Sequence, residues 1–342
     1  MRLQIAVPRI LIASVLLGLG GDGLVFAEVA PSNTVNAQAG NLHPVKQADK
    51  WGYADASGRM VIAPEFKDAR PFSEGLAAVY VEINPPSKIG FIDSRGVRTS
   101  KPAQRKWGFI GQDGTMVIPP QFEAVRDFSE GLAAAKLAQR KWGFIGQDGT
   151  MVIPPQFEAV GDFSEGLAAA SLAVRRSDSD TWGYIDRQGK MVIKPQFSYA
   201  GPFSEGLALV NAGGVCLTDP FVRSFVNIGF IDKSGHWFIR SKFKYFFYDD
   251  FSNGLVAFRK NFGKWGYMDK GGKTVIKPQF DWAGRFLGDG LAAVVVNGKC
   301  AHIDKSGRVV GQPEPLKAPW GEGKLARRVR TFTFNPNRPP CS

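Results

Sequence analysis

The stretch KWGFIGQDGTMVIPPQFEAV occupies residues 106–125 and returns unchanged at residues 141–160. The unit around it, residues 104–138, matches residues 139–173 everywhere except Arg126 against Gly161 and Lys136 against Ser171. A self-copy of this length is the signature of a repeat architecture. The same frame, Trp-Gly-aromatic, recurs at Trp51, Trp107, Trp142, Trp182 and Trp265, with degenerate copies at Ile89, Ile228 and Cys300. These eight frames lie mostly 35 to 46 residues apart, but the Ile89 frame reaches the next Trp after 18 residues and counts as half a unit.

Each part of the unit has a local reading. WGFI or WGYID, a turn closed by Gly such as Asp186-Arg187-Gln188-Gly189, and then Met191-Val192-Ile193 predict a β-hairpin whose loop ends in a Gly bulge. The Pro steps that follow, Pro119-Pro120, Pro154-Pro155, Lys194-Pro195 and Lys277-Pro278, are expected to end the second strand, because Pro cannot donate to a ladder. A connector such as QFEAVRDFSEG tucks Phe122 and Phe128 under the hairpin. Gly131-Leu132-Ala133-Ala134-Ala135 then forms a third strand leading into the next Trp-Gly, with room for a short fourth strand at FEAV. A three-stranded meander is too small to stand alone, so units must pack on units.

The pattern K-W-G-Y/F-I-D-x-x-G-x-x-V-I-x-P-x-F followed by F-S-E-G-L-A resembles the bacterial WG-repeat family over residues 46–310. That resemblance implies a β-rich repeat array with a role in interactions and no established catalysis. The expected fold is all-β: about eight WG units stacked as an open curved array, with a closed propeller-like ring as the alternative. Variable frame lengths and the half unit favour the open form. The Ile89, Ile228 and Cys300 frames and the insert at residues 211–225 depart from the family pattern.

The ends set the organisation. Arg2 and Arg9 precede an apolar run over residues 10–19, and Val25-Phe26-Ala27 offers a small-x-small cleavage site, the layout of a secretory signal peptide. Gly20-Gly21-Asp22-Gly23 interrupts the run well short of the ~20 residues that an anchoring span needs. The expected organisation is a signal peptide at 1–27, a linker at 28–45, the array at 46–312 and a basic Pro-rich tail at 313–342. The product is then secreted, periplasmic or at the cell surface. Cys216, Cys300 and Cys341 are too few for a disulfide framework, though one pair could bridge. The net charge of +12 favours anionic partners. With export, wall polymers, acidic glycans and lipid head groups come before nucleic acid, and no transmembrane segment is expected in the mature chain. The tail adds Arg327, Arg328 and Arg330 as an extended basic arm or a solubilising one.

No metal cluster, phosphate loop or nucleophile elbow is present in the sequence, so no catalytic residue, metal or cofactor is expected. His43, His236 and His302 are scattered. The recurring Glu74, Glu130, Glu165 and Glu205 of FSEGL, replaced later by Asn253 and Asp289, read as turn acceptors or ion-pair partners. The competing reading makes them the acids of an envelope carbohydrate hydrolase. Trp51, Trp107, Trp142, Trp182 and Trp265 read as packing residues of the repeat. Trp237, Trp282 and Trp320 fall outside the repeat pattern and are the better candidates for stacking on a glycan. The leading expectation is a non-enzymatic binding or scaffold protein of the cell envelope, engaging a protein or an anionic glycan.

Overall fold

A glycine beside a tryptophan in a strand needs a reason, and the neighbouring strand supplies it. At Gly52, Gly108, Gly143, Gly183, Gly229 and Gly266 an added Cβ would lie 2.0–2.6 Å from the carbonyl oxygen of an Ile on the next strand. In five of the six cases that next strand bulges beside the glycine; Gly229 instead pairs in register with Arg240. In the pairing of Trp142–Gly146 with Met151–Phe157, Trp142 faces Phe157 and Phe144 faces Ile153, so two residues span the register of four. Pro154 and Pro155 occupy the excess, where no ladder N–H is required. The strand therefore runs through its prolines to Phe157, and the expectation that they end it is corrected. The hairpin loop is as expected: Gly149 has φ +80° and donates its N–H to the Gly146 carbonyl at 2.9 Å.

This computed structural model describes residues 42–83, 91–92, 98–99, 104–137, 141–172, 182–212, 226–242, 245–247, 249–260, 263–315 and 341, all within the unit Ala39–Ser342. They form an all-β succession of seven antiparallel sheets, the first three-stranded and the others four-stranded, with a separate two-stranded hairpin. The first sheet holds His43–Gln47, Lys50–Ala54 and Met60–Phe66. The third holds, in order, Ala124–Val125, Leu132–Lys136, Trp142–Gly146 and Met151–Phe157. The fourth, fifth and sixth end on Met191–Phe197, Trp237–Lys242 and Thr274–Phe280, and the seventh on Val309–Pro315.

Sheets and sequence units are out of phase. After Phe157 only Glu158 intervenes before Ala159–Val160, which pairs in the fourth sheet, and the Glu158 N–H bonds the Ser171 carbonyl there at 2.8 Å. Every full unit thus gives two strands to one sheet and two to the next. The half unit at Ile89 is an insertion: Phe91–Ile92 pairs with Arg98–Thr99, while Leu76–Ile83 pairs directly with Gln104–Gly111 across it.

The core lies between sheets, as six clusters, one per junction among the described residues. Ala134 and Phe144 of the third sheet pack toward the fourth, while Ala133, Ala135 and Ile145 pack toward the second. Both faces of Leu132–Lys136 are therefore covered, and its run of alanines reflects tight approach from two sides. The residue after each Trp-Gly meets the Phe of the FSEG segment: Phe144 and Phe163 have ring centroids 4.8 Å apart, and Tyr184 and Phe203 likewise 4.8 Å. Such a pair adds about 0.5–1.5 kcal/mol beyond its area. Among the described residues no strand pairing and no core cluster joins the first sheet to the seventh.

The array ends by substitution. In Val309–Pro315, Gly311 and Pro315 stand where Ile153 and Phe157 stand in the third sheet, and all seven residues are exposed. An eighth sheet would find no apolar platform there. Two boundaries shift: strand residues begin at His43, inside the expected linker, and continue to Pro315, past the expected array end at 312. The tail is also not simply free, because Cys341 forms a disulfide with Cys300 across 41 residues. On the loop-entropy view such a closure is worth about 4 kcal/mol.

Two glycine variants test the bulge. In Gly143→Ala the new methyl meets the backbone oxygen of Ile153, whereas Gly166→Ala meets nothing within 4 Å and carries only its φ of +84°. Urea unfolding should show a loss of about 1–2 kcal/mol for Gly166→Ala and a clearly larger one for Gly143→Ala.

Candidate functional site

The FSEG segments line one edge of the junctions, and their side chains are spent there. Ser129 donates its hydroxyl to the Phe163 carbonyl at 2.7 Å, Ser164 to Phe203 at 2.6 Å and Ser204 to Phe251 at 2.7 Å. Ser73 and Ser252 repeat the bond with Phe128 and Phe286. The glutamates answer in the same direction: Glu74 accepts the Gly131 N–H at 2.8 Å, and Glu130 accepts that of Gly166 at 2.9 Å. Glu165 and Glu205 do so from Gly206 and Gly254. A cation at the hairpin tip of the following sheet joins three of them: Arg187 to Glu130 at 3.8 Å, Lys233 to Glu165 at 3.1 Å and Lys270 to Glu205 at 3.1 Å.

These glutamates occupy the left-handed region, with φ of 51–54°, and Asn253 takes the same place at 56°. Non-glycine residues reach it at some cost, Asn least. Exchange of Glu for Asn was the sequence signal for this conformation, but the destination of the carboxylate in the next unit had no signal. All four carboxylates hold the N–H of the next unit's Gly, and Glu74 differs only in meeting the Gln147 amide, at 3.5 Å, where the others meet a cation.

The repeat tryptophans all pack against the clusters. Trp265 is buried, but Trp51, Trp107, Trp142 and Trp182 are half-buried at the rims of the clusters. Cations cover several rings: Arg70 lies 4.8 Å from the Trp107 centroid, Lys136 5.7 Å from Trp142 and Arg259 5.2 Å from Trp265. The candidate glycan residues are partly explained by packing after all. Trp237 takes the place of Met151 in the hairpin, half-buried, edge-on to Phe197 at 6.3 Å and beneath Arg240 at 4.9 Å. Trp282 is half-buried over Gly284. Trp237 and Trp282 lie on different strands of different sheets. Trp320, Arg327, Arg328, Arg330, Cys216 and the expected signal peptide lie outside the described residues.

Two further features concentrate charge. A shallow depression of about 300 Å³ is lined by Lys50, Glu65, Lys67, Val81 and Glu82, but Lys67 pairs with Asp49 and Glu82 with Arg105. Beside Phe251, burial and then the neighbouring Asp249 push the Asp250 carboxyl up to about 6. Arg285 pairs with Asp249 at 3.8 Å. Among the described residues no group of His, Cys, Asp or Glu could hold a metal ion, and no helix is long and apolar enough to cross a membrane.

What the array offers to solvent is the outward side of each sheet's last strand. Along Met151–Phe157 the burial alternates, leaving Val152, Pro154 and Gln156 outside, and the same positions recur in successive sheets. The exposed Val61, Val117, Val152, Val192 and Val275 are therefore one row.

Comparison with known proteins agrees with this geometry. The family described as WG containing repeat matches residues 51–82, 107–139, 142–172, 182–216, 228–265 and 265–300, together more than half of the chain. No curated protein matches the sequence. Among solved structures, a eukaryotic initiation factor is 10% identical, with a TM-score of 0.51 over 80% of this chain and 74% of that one. BamB from Moraxella catarrhalis is 10% identical, with a TM-score of 0.39 over 82% and 89%. The computationally designed Ika8 protein is 11% identical, with 0.41 over 81% and 89%. The likeness to the first is one of fold alone.

Two measurements test the junction and the buried acid. Ser164→Ala should lower unfolding free energy by about 1 kcal/mol, and Ser252→Ala, two sheets further on, should add to it nearly independently, as read by urea titration. For Asp250 the folded carboxyl binds its proton more tightly than the unfolded one, so stability falls as pH rises from about 4 to about 6. Thermal melts across that range should show Asp250→Asn gaining on the unmodified chain, by about 1–2 kcal/mol at pH 7.

Proposed function

The chain belongs to the WG-repeat family, and from that premise we propose that it is an exported, non-enzymatic binding or scaffold protein of a bacterial cell envelope. It engages a protein or an anionic glycan through the outward faces of its repeat and through the basic segment that carries Arg327, Arg328 and Arg330. The observation that carries this reading is the division of labour within each unit. Ser, Glu and the hairpin cation are consumed in joining sheet to sheet, and the outward valine, its flanking residues and Gln are left for a partner. Repetition of such a face suits an extended ligand. The net charge of +12 favours an acidic one and gives it a salt-sensitive approach. The hydrolase reading has no observation in its favour, because the FSEGL carboxylates already hold backbone N–H groups and, at Glu130, Glu165 and Glu205, cations as well.

The test is retention of residues 28–342 on native envelope preparations. Binding should weaken progressively between low and 0.5 M salt, and should fall when Arg327, Arg328 and Arg330 are all changed to Ala. That variant is preferable to deleting the tail, since deletion would also remove Cys341 and its bond to Cys300. Absence of retention on any envelope fraction at low salt would overturn the reading.

A further inference from the structure

The outward face is not the same along the array. In the second and third sheets its positions read Thr115, Val117, Pro119, Gln121 and Thr150, Val152, Pro154, Gln156, with no charge. In the fourth sheet the same four positions are Lys190, Val192, Lys194 and Gln196, all exposed. The sixth repeats them as Lys273, Val275, Lys277 and Gln279, and the fifth, between the two, shows His236, Phe238 and Arg240. The three last strands, Met191–Phe197, Trp237–Lys242 and Thr274–Phe280, contain no Asp or Glu. The corresponding strands at the two ends of the array do, at Glu65 and Glu314. Among these last strands the cationic residues are thus confined to three consecutive sheets, between neutral strands on one side and the strand carrying Glu314 on the other.

Its arrangement is layered. A central apolar row of Val192, Phe238 and Val275 is 46%, 55% and 45% exposed. On one side runs the row Lys194, Arg240 and Lys277; on the other Lys190, His236 and Lys273 stand beside Asp186, Asp232 and Asp269, with His236 Nδ1 3.9 Å from the Asp232 carboxylate. None of the four lysines makes an ion pair among the described residues, and Arg240 is held in place by its stack on Trp237 at 4.9 Å. Sheets packed face to face succeed one another at about 10 Å, so equivalent groups recur along the face at a regular interval.

We propose that this face, resting on the binding function set out above, is the site for an acidic polysaccharide lying across the fourth, fifth and sixth sheets. Sugar rings present apolar faces to the valines and to Phe238, their carboxylate or sulfate groups reach the flanking cations, and Gln196 and Gln279 hydrogen-bond hydroxyls. A polyanion recognised by charge alone would need the flanking lysines and Arg240 but not the exposed aromatic between them.

The test uses residues 28–342 with polygalacturonate and inorganic polyphosphate as probes, at matched charge concentration and moderate salt. Lys194→Ala/Arg240→Ala/Lys277→Ala should weaken polygalacturonate binding at least tenfold. Arg59→Ala/Lys299→Ala/Lys305→Ala, which removes the same charge elsewhere, should weaken it less than threefold. Phe238→Ala should cost severalfold on polygalacturonate and nothing on polyphosphate. All of these residues are exposed, and unchanged thermal melts would show that the variants fold. Equal losses in the two triple variants would overturn the site while leaving the envelope-binding function standing. So would retention on envelope with no polygalacturonate binding. Tighter binding to polyphosphate, indifferent to Phe238, would overturn the polysaccharide as occupant. Failure to bind either probe or any envelope fraction would overturn both the site and the function beneath it.

Discussion

Everything else in this molecule depends on one close approach, that of an isoleucine carbonyl to the glycine of Trp-Gly. The distance leaves no room for a Cβ, and in five of the six cases two extra residues bulge from the facing strand beside it. A bulge bends its strand and strengthens the local twist. Here the bend delivers Phe157 into the core and sends the chain on, through Glu158, to pair in the next sheet.

That hand-over makes the units interdependent. A unit whose four strands belong to two different sheets cannot complete either alone, and its aromatic pair lies in a core that the next sheet closes. The bonds from Ser164 to Phe203 and from Gly206 to Glu165 cross the same junction, so polar and apolar contributions rise and fall together. Stability of this kind is a sum of nearest-neighbour terms, which tolerates the insertion of a whole unit. The duplicated residues 104–138 and 139–173 are the visible result, each supplying an equivalent junction. The array stops where Gly311 and Pro315 remove the two apolar contacts that a further sheet would need.

Part of this was legible in the residues. The period, the hairpin, the Gly at its loop and the burial of Phe122 and Phe128 follow from local rules of turn chemistry and from aromatic spacing. The Pro pairs misled, because the rule that Pro ends a strand assumes an unbroken ladder, and here the ladder is interrupted where the prolines sit. The place of the tryptophans within the packing had no signal in the residues. They are the most conspicuous residues of the unit, yet the centre of each junction belongs to the smaller ring after the glycine, and Trp107 and Trp142 lie at the rim under cations.

Sequence alone determined that this is an all-β repeat protein with a period near 35 residues, because turn propensity, strand alternation and self-similarity are properties of neighbouring residues. Only the tertiary structure decided where one sheet ends and the next begins, which unit each glutamate serves, and which residues face outward in register. Those depend on contacts between residues 34 to 65 positions apart, such as Ser129 with Phe163 and Lys270 with Glu205, and a linear pattern carries no information about which of many equivalent partners is met. The outward row of Lys194, Arg240 and Lys277 becomes a single surface only when three sheets are stacked, since in the chain those residues are separated by whole repeats.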